Sequence, residues 1–263
     1  MKTEKRIESD SIGSMSVPAA AYYGVQSLRA MNNFPITGMP LNPVFITSLA
    51  RIKKAAAYAN NESGVLPAEK KDAIVKACDE IINGCFRGEF IVDAIQGGAG
   101  TSANMNINEV IANRADELMG GKRGTYTFIN PNDDVNKSQS TNDVVPTAGK
   151  LTALTMIAPL EAELLRLEKV LAAKSAEFSG IVKMGRTQLQ DAVPMTLGQS
   201  FRAYESMIGR CRKQLENVKK ELLQVNLGGT AIGSALNAPE IYEQRVVPVL
   251  ARITGYPLEQ AGD

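Results

Sequence analysis

The chain has 263 residues with 29 Lys plus Arg against 28 Asp plus Glu, enough length for one or two domains with a full core and, at a net charge of +1, no global field to draw nucleic acid or an anionic membrane. Hydrophobic residues at 44% and charged residues at 22% exclude a disordered chain, and the length excludes a disulfide-stapled miniprotein. Histidine and tryptophan are absent, which removes Ser-His-Asp triads, Cys-His dyads, HExxH zinc sites and any imidazole base.

Gly13, Pro18, Gly24, Pro35, Gly38 and Pro40 break the first forty residues into short extended pieces and turns. Asn42-Pro43 then reads as an N-cap followed by proline at the first helical position, opening a helix from Val44 to about Asn60. A second helix opens at Pro67 and runs towards Gly88, with Ile74, Cys78, Ile81 and Cys85 on one buried face. The glycine-rich loop Gln96–Ser102 leads into a helix from about Met105 to Met119, stopped by Gly120-Gly121. From Gly121 to about Ser140 the chain is polar and irregular.

A long helix follows from Leu151, its seam formed by Ile157, Leu160, Leu164, Leu167, Leu171 and Phe178. A second seam, Leu197, Phe201, Tyr204, Ile208, Cys211, Leu215, Val218, Leu222 and Val225, alternates steps of four and three throughout. A last helix spans Pro239 to about Ile253. These long amphipathic helices make an incomplete bundle, so other subunits or further chain are expected to cover the remaining apolar faces.

Cys78, Cys85 and Cys211 are odd in number, form no CxxC pair and fall in apolar helical patterns, which predicts reduced core thiols in a cytoplasmic protein. The charged start MKTEKRIESDS lacks a signal peptide's apolar stretch, and no run of 18 apolar residues occurs, so neither export nor a membrane span is expected.

Four polar clusters interrupt the helical text: Gly97–Asn108, Asn130–Asp143, Met184–Gln199 and Gly228–Asn237. Each alone reads as caps and turns. Together they hold more hydroxyls and amides than capping needs, and neutral donors beside helix N-termini suit a small dicarboxylate. The glycines at 97–100 match neither GxGxxG nor a P-loop, and Asn132-Asp133-Asp134 lacks the spacing and closing glutamate of a calcium loop, leaving an Asx turn.

The segments GGAGTSANMNINEVIANRA (97–115), NPNDDVNKSQSTND (130–143) and KMGRTQLQDAVPMTLGQ (183–199) closely resemble the aspartase and fumarase superfamily, and within it the aspartate ammonia-lyases; VPAAAYYGVQSLRAMNNF (17–34) and LGGTAIGSALN (227–237) extend the resemblance. It implies a mainly α protein: a small N-terminal lyase domain, residues 1–140, then part of a long-helix bundle, residues 141–263, that packs with three other subunits as a homotetramer. It implies a carbon-nitrogen lyase that deaminates L-aspartate to fumarate by removing the Cβ proton through an aci-carboxylate dianion, with no cofactor or metal. By similarity Thr101, Ser140 and Thr141 would hold the β-carboxylate, Asn142 would lie by the amino group, and Thr187 and Gln188 would come from a neighbouring subunit. Gln188 and the wording VPMTLGQ favour aspartase over fumarase, the alternative on the same scaffold.

The family's GSSxMPxKxN loop, whose serine is the general base, does not occur, so the resemblance implies a C-terminally truncated, inactive chain with no catalytic base of its own. A non-catalytic oligomerising fragment is the alternative from another class. Asn130 replaces a histidine common in relatives, and Ser234-Ala235 replaces Thr-Gly.

Overall fold

The computed structural model describes residues 4–262. The chain folds as two compact units: residues up to Thr152 together with those from Leu223 onward form the first, and Ala153–Leu222 the second. The architecture is mainly α, and among the described residues no helix is long and apolar enough to cross a membrane.

The first unit opens with an antiparallel hairpin, β1 (Lys5–Asp10) and β2 (Gly13–Pro18), paired from Lys5↔Pro18 to Asp10↔Gly13. These are the extended pieces expected of the lead-in. A nine-residue helix, α1 (Val25–Asn33), follows that the sequence did not announce, because nothing local caps it. Its cap comes from the helix α4 (Thr101–Leu118): the Glu109 carboxylate accepts the N–H of Gly24 at 2.9 Å, Gln26 at 2.9 Å and Ser27 at 3.0 Å, and the Ser27 hydroxyl as well. Glu8 takes the remaining first-turn amide, Val25, at 3.0 Å. Two carboxylates thus satisfy an entire helix N-terminus and face the positive end of its dipole. A Cβ on Gly24 would stand 2.5 Å from Tyr126 Oη and 2.7 Å from oxygens of both glutamates, so only glycine fits between them.

Asn42 caps α2 (Pro43–Glu62) as predicted, its side chain accepting the Val44 N–H at 2.8 Å. The helix α3 (Ala68–Ile82) stops short of the expected Gly88. Cys85 therefore lies beyond it and is exposed, as is Cys211; only Cys78 is a core thiol, although all three are free. α4 starts at Thr101, four residues before the expected Met105. In the irregular stretch Asn130 accepts the N–H groups of Asn132 and Asp133, forming the Asx turn, and Asp134 binds Lys70. Leu49, Ile52, Ile74, Ile107, Ile111 and Leu250 are fully buried where α2, α3, α4 and α7 (Glu240–Thr254) supply the core.

The helix α5 (Thr141–Glu177) begins ten residues ahead of Leu151 and runs for 37 residues. In the second unit its C-terminal part is followed by a hairpin, β3 (Val182–Thr187) and β4 (Gln190–Thr196), absent from the sequence reading, and by α6 (Leu197–Leu222). α5 and α6 lie side by side in opposite directions, tied by Arg212–Glu168 at 2.9 Å, Lys219–Glu161 at 2.7 Å and Phe178 on Phe201 at 5.3 Å between ring centres. The α6 seam divides by heptad. Phe201, Ile208, Leu215 and Leu222 are half-buried, whereas Tyr204, Cys211 and Val218 stay exposed. Val225 is not in this helix: it lies in the first unit, fully buried on the two-residue strand β5 (Gln224–Val225), which pairs in parallel with β6 (Glu259–Gln260).

Replacing Glu109 by Ala would strand three amides and a hydroxyl away from water. We expect Glu109→Ala to lower the unfolding free energy in urea by about 3 kcal/mol or more, and Glu109→Gln, which keeps one acceptor oxygen, to lower it by less.

Candidate active site

Two helices of the first unit begin at residues singled out by sequence: α4 at Thr101 and α5 at Thr141. The glycine-rich loop makes their ends neighbours. Gly100 takes a left-handed φ of 92°, and a Cβ there would lie 2.7 Å from Val145 Cγ1 in the second turn of α5, so glycine allows both the turn and the approach. One turn into α4, Asn104 Nδ2 donates to Thr141 Oγ1 at 3.4 Å. The structure thus gathers Thr101, Ser140, Thr141 and Asn142 about two adjacent helix N-termini, an arrangement that favours an anion.

Their hydrogen bonds differ in what they leave available. Ser140 and Asp143 form a capping box: Ser140 Oγ accepts the Asn142 N–H at 3.2 Å, and Asp143 Oδ1 accepts the Ser140 N–H at 2.9 Å. The Ser140 and Thr141 hydroxyls, each accepting one bond, keep their protons to donate. The Thr101 hydroxyl instead donates to Gly98 O at 2.7 Å and must turn to meet a ligand. Asn142 Nδ2 donates to Ala231 O at 2.8 Å, which leaves Oδ1 as an acceptor, and Asn226 Nδ2 donates to Asn142 O at 2.9 Å. A cleft of about 440 Å³ beside Asn142 is lined also by Asn226, Gly229, Thr230, Ala231 and Glu243; Thr101, Ser140 and Thr141 do not line it.

Thr187 and Gln188 belong to the second unit, at the exposed tip of the β3–β4 hairpin. Gln188 and Leu189 form its two-residue turn with φ of 48° and 65°. Both candidates are exposed.

Beneath the site lies a layer of residues that sequence reading missed. Asp143 is buried, and its Oδ2 accepts the N–H groups of Gly228 and Thr230, each at 3.1 Å, binding the 228–237 loop to the start of α5. Burial pushes its carboxyl above the ordinary carboxylate range, opposed by these amides and by Lys53. Lys53, on α2, is wholly buried, and its Nζ donates to Asn136 Oδ1 and Gln139 Oε1, both at 2.9 Å. Burial pulls the ammonium down to about 7, while Asp143 and Cys78 act to raise it. Asn136 Oδ1 also accepts Asn104 Nδ2 at 3.1 Å and Asn108 Nδ2 at 3.2 Å. The available signal was phase: Lys53 follows Leu49 by four residues and precedes Ala56 and Ala57 by three and four, which sets it on the apolar stripe of α2. Among the described residues no three His, Cys, Asp or Glu side chains converge as a metal site would require.

The pattern of a family described as lyase matches residues 13–263. The aspartate ammonia-lyase of Pseudomonas aeruginosa is 53% identical over 261 residues, covering 98% of this chain and 55% of that protein. A crystal structure of fumarate lyase:delta crystallin from Brucella melitensis bound to cobalt superposes with a TM-score of 0.94 at 49% identity, covering 99% of this chain and 57% of that one. The class II fumarase of Schistosoma mansoni superposes with a TM-score of 0.89 at 36% identity, covering 96% of this chain and 53% of that one. The chain spans about half the length of the curated relatives it matches.

Lys53 makes stability depend on pH in a definite direction. Its folded value of about 7 lies below the 10.5 it has when exposed, so between these limits the unfolded chain holds the extra proton and stability rises with pH. From about pH 7 to about pH 9 we expect a gain of roughly 2 kcal/mol in urea unfolding, absent in Lys53→Met.

Proposed function

Because the chain belongs to the aspartase and fumarase superfamily of lyases, we propose that it supplies the carboxylate cradle of an aspartate ammonia-lyase. The observation that carries this reading is the meeting of two helix N-termini, at Thr101 and Thr141, with the hydroxyl protons of Ser140 and Thr141 uncommitted. In the proposed reaction a base removes the Cβ proton of L-aspartate and a second negative charge develops on the β-carboxylate. Donors fixed where that charge grows stabilise the transition state more than the ground state. Ser140, Thr141 and, after rotation of its hydroxyl, Thr101 take this role. Ammonia then leaves from Cα to give fumarate, without a cofactor.

Asn142 supports deamination in particular. With Nδ2 bound to Ala231 O, the side chain offers Oδ1 as an acceptor, the polarity that an ammonium group requires. Thr187 and Gln188 are assigned to the site of a neighbouring subunit, consistent with their exposure on a projecting hairpin. The assembly proposed is a homotetramer, in which residues 141–263 contribute to a shared helical bundle beside an N-terminal lyase domain, residues 1–140. The exposed half of the α6 seam, Tyr204, Cys211 and Val218, favours such packing.

Fumarate and succinate are expected to give calorimetric binding with this chain, and Ser140→Ala to weaken it about tenfold, the effect of one hydrogen bond to a charged group. No binding of either diacid refutes the cradle. Fumarate formed from L-malate but not from L-aspartate would favour the hydratase reading instead.

A further inference from the structure

Lys53 stands where all the elements that build the cradle meet. From α2 it reaches Asn136 and Gln139, which lie on the turn leading directly into Ser140. Through Asn136 Oδ1 the same ammonium is joined to Asn104 and Asn108 of α4, and Asn104 continues to Thr141. Asn60, also on α2, holds that turn a second time, donating to Lys137 O at 2.9 Å and accepting from Ser138 Oγ at 2.7 Å.

The chemistry of the hub suits an ammonium. Lys53 donates to the oxygens of Asn136 and Gln139, and the buried Oδ1 atoms of Asn104 and Asn108 in the same amide network have no hydrogen-bond partner. A group with three N–H bonds and no acceptor suits side-chain amide oxygens. Asp143, held by three backbone amides that include that of Ser140, acts on Lys53. Ser140 is therefore tied to a buried anion directly and to a buried cation through the turn before it. The titratable groups acting on Lys53 are Asp143 from α5 and Cys78 from α3; Asp143 also acts on Tyr242 of α7, and Lys54, adjacent on α2, is engaged by Asp79 at 2.6 Å.

We propose that Lys53 is a positioning residue for the carboxylate cradle: through Asn136 and Gln139 it holds the turn that leads into Ser140, and its charge acts on Ser140–Asn142 across that turn, so a dicarboxylate binds the protonated form and draws a proton onto Lys53. This rests on the reading of Ser140–Asn142 as the carboxylate site. Since the resting ammonium titrates at about 7, a neutral solution holds both forms, and an incoming dianion shifts the balance towards the charged one.

The test is calorimetry of the 263-residue chain with fumarate, in two buffers of different ionisation enthalpy, over a pH series. Uptake of a fraction of a proton per fumarate is expected near neutrality, with affinity falling about tenfold from about pH 6.5 to about pH 8.5. In Lys53→Gln, binding should be weaker, without proton uptake and flat over that range. Fumarate binding by the wild type without uptake, or the same uptake in Lys53→Gln, overturns the proposal.

A second measurement needs no ligand. Hydrogen exchange of the free wild-type chain should show protection of the Ser140–Val144 amides rising several-fold over the same pH range after correction for intrinsic rates, because opening the turn hydrates Lys53 and raises its affinity for a proton, with α6 amides as the internal control. Unchanged protection overturns the positioning role, and this wild-type series decides the matter even if Lys53→Gln fails to fold. Absence of any fumarate heat refutes the cradle itself, while the exchange result still rules on the hold of Lys53 over the turn.

Discussion

A carboxylate removed from water must be met by donors, and at Asp143 those donors are backbone amides. Ser140 supplies one from the residue that caps α5; Gly228 and Thr230 supply two from a loop more than eighty residues later in the chain. Satisfying this one side chain fixes the first turn of the longest helix and brings a distant loop against it, with Asn142 and Asn226 completing the join. The donor cluster owes its shape to that requirement. Without Asp143, the Ser140–Asn142 triplet and the 228–237 loop would lose their common anchor.

Much of the framework is legible in the sequence because it rests on local physics. Asn42-Pro43 announces α2 through a cap made by Asn42 itself, and the four-three spacing from Leu197 to Leu222 is the surface of α6. What was not legible depends on partners remote along the chain. α1 exists because Glu8 and Glu109 cap it from elsewhere. The β3–β4 hairpin turns on Gln188 and Leu189, two non-glycine residues with positive φ, where the usual glycine or asparagine signal is missing. The same distinction runs through the site. Thr101, Ser140, Thr141 and Asn142 stood out through resemblance and local chemistry, whereas Lys53, beside a second lysine and on the apolar stripe only by phase, went unremarked; packing shows that Lys53 is buried while Lys54 meets Asp79.

Lys53 also carries a cost in stability. Keeping a lysine inside an Ala- and Ile-rich helix disfavours its charged form, and a hydrophobic residue there would relieve that cost. Its ammonium hydrogen-bonds amide oxygens, while the Asp143 carboxylate acts on it without a direct hydrogen bond.

The capping of α1 makes the N-terminal arm a different kind of segment from a dispensable extension. Glu109 lies in the middle of α4, and its donors are Gly24, Gln26 and Ser27. Translation begun at a downstream codon, or a protease nick that released the arm, would leave an orphaned anion at the heart of the first unit. A chain without the arm would have to leave that carboxylate unpaired in the first unit or open α4 to water.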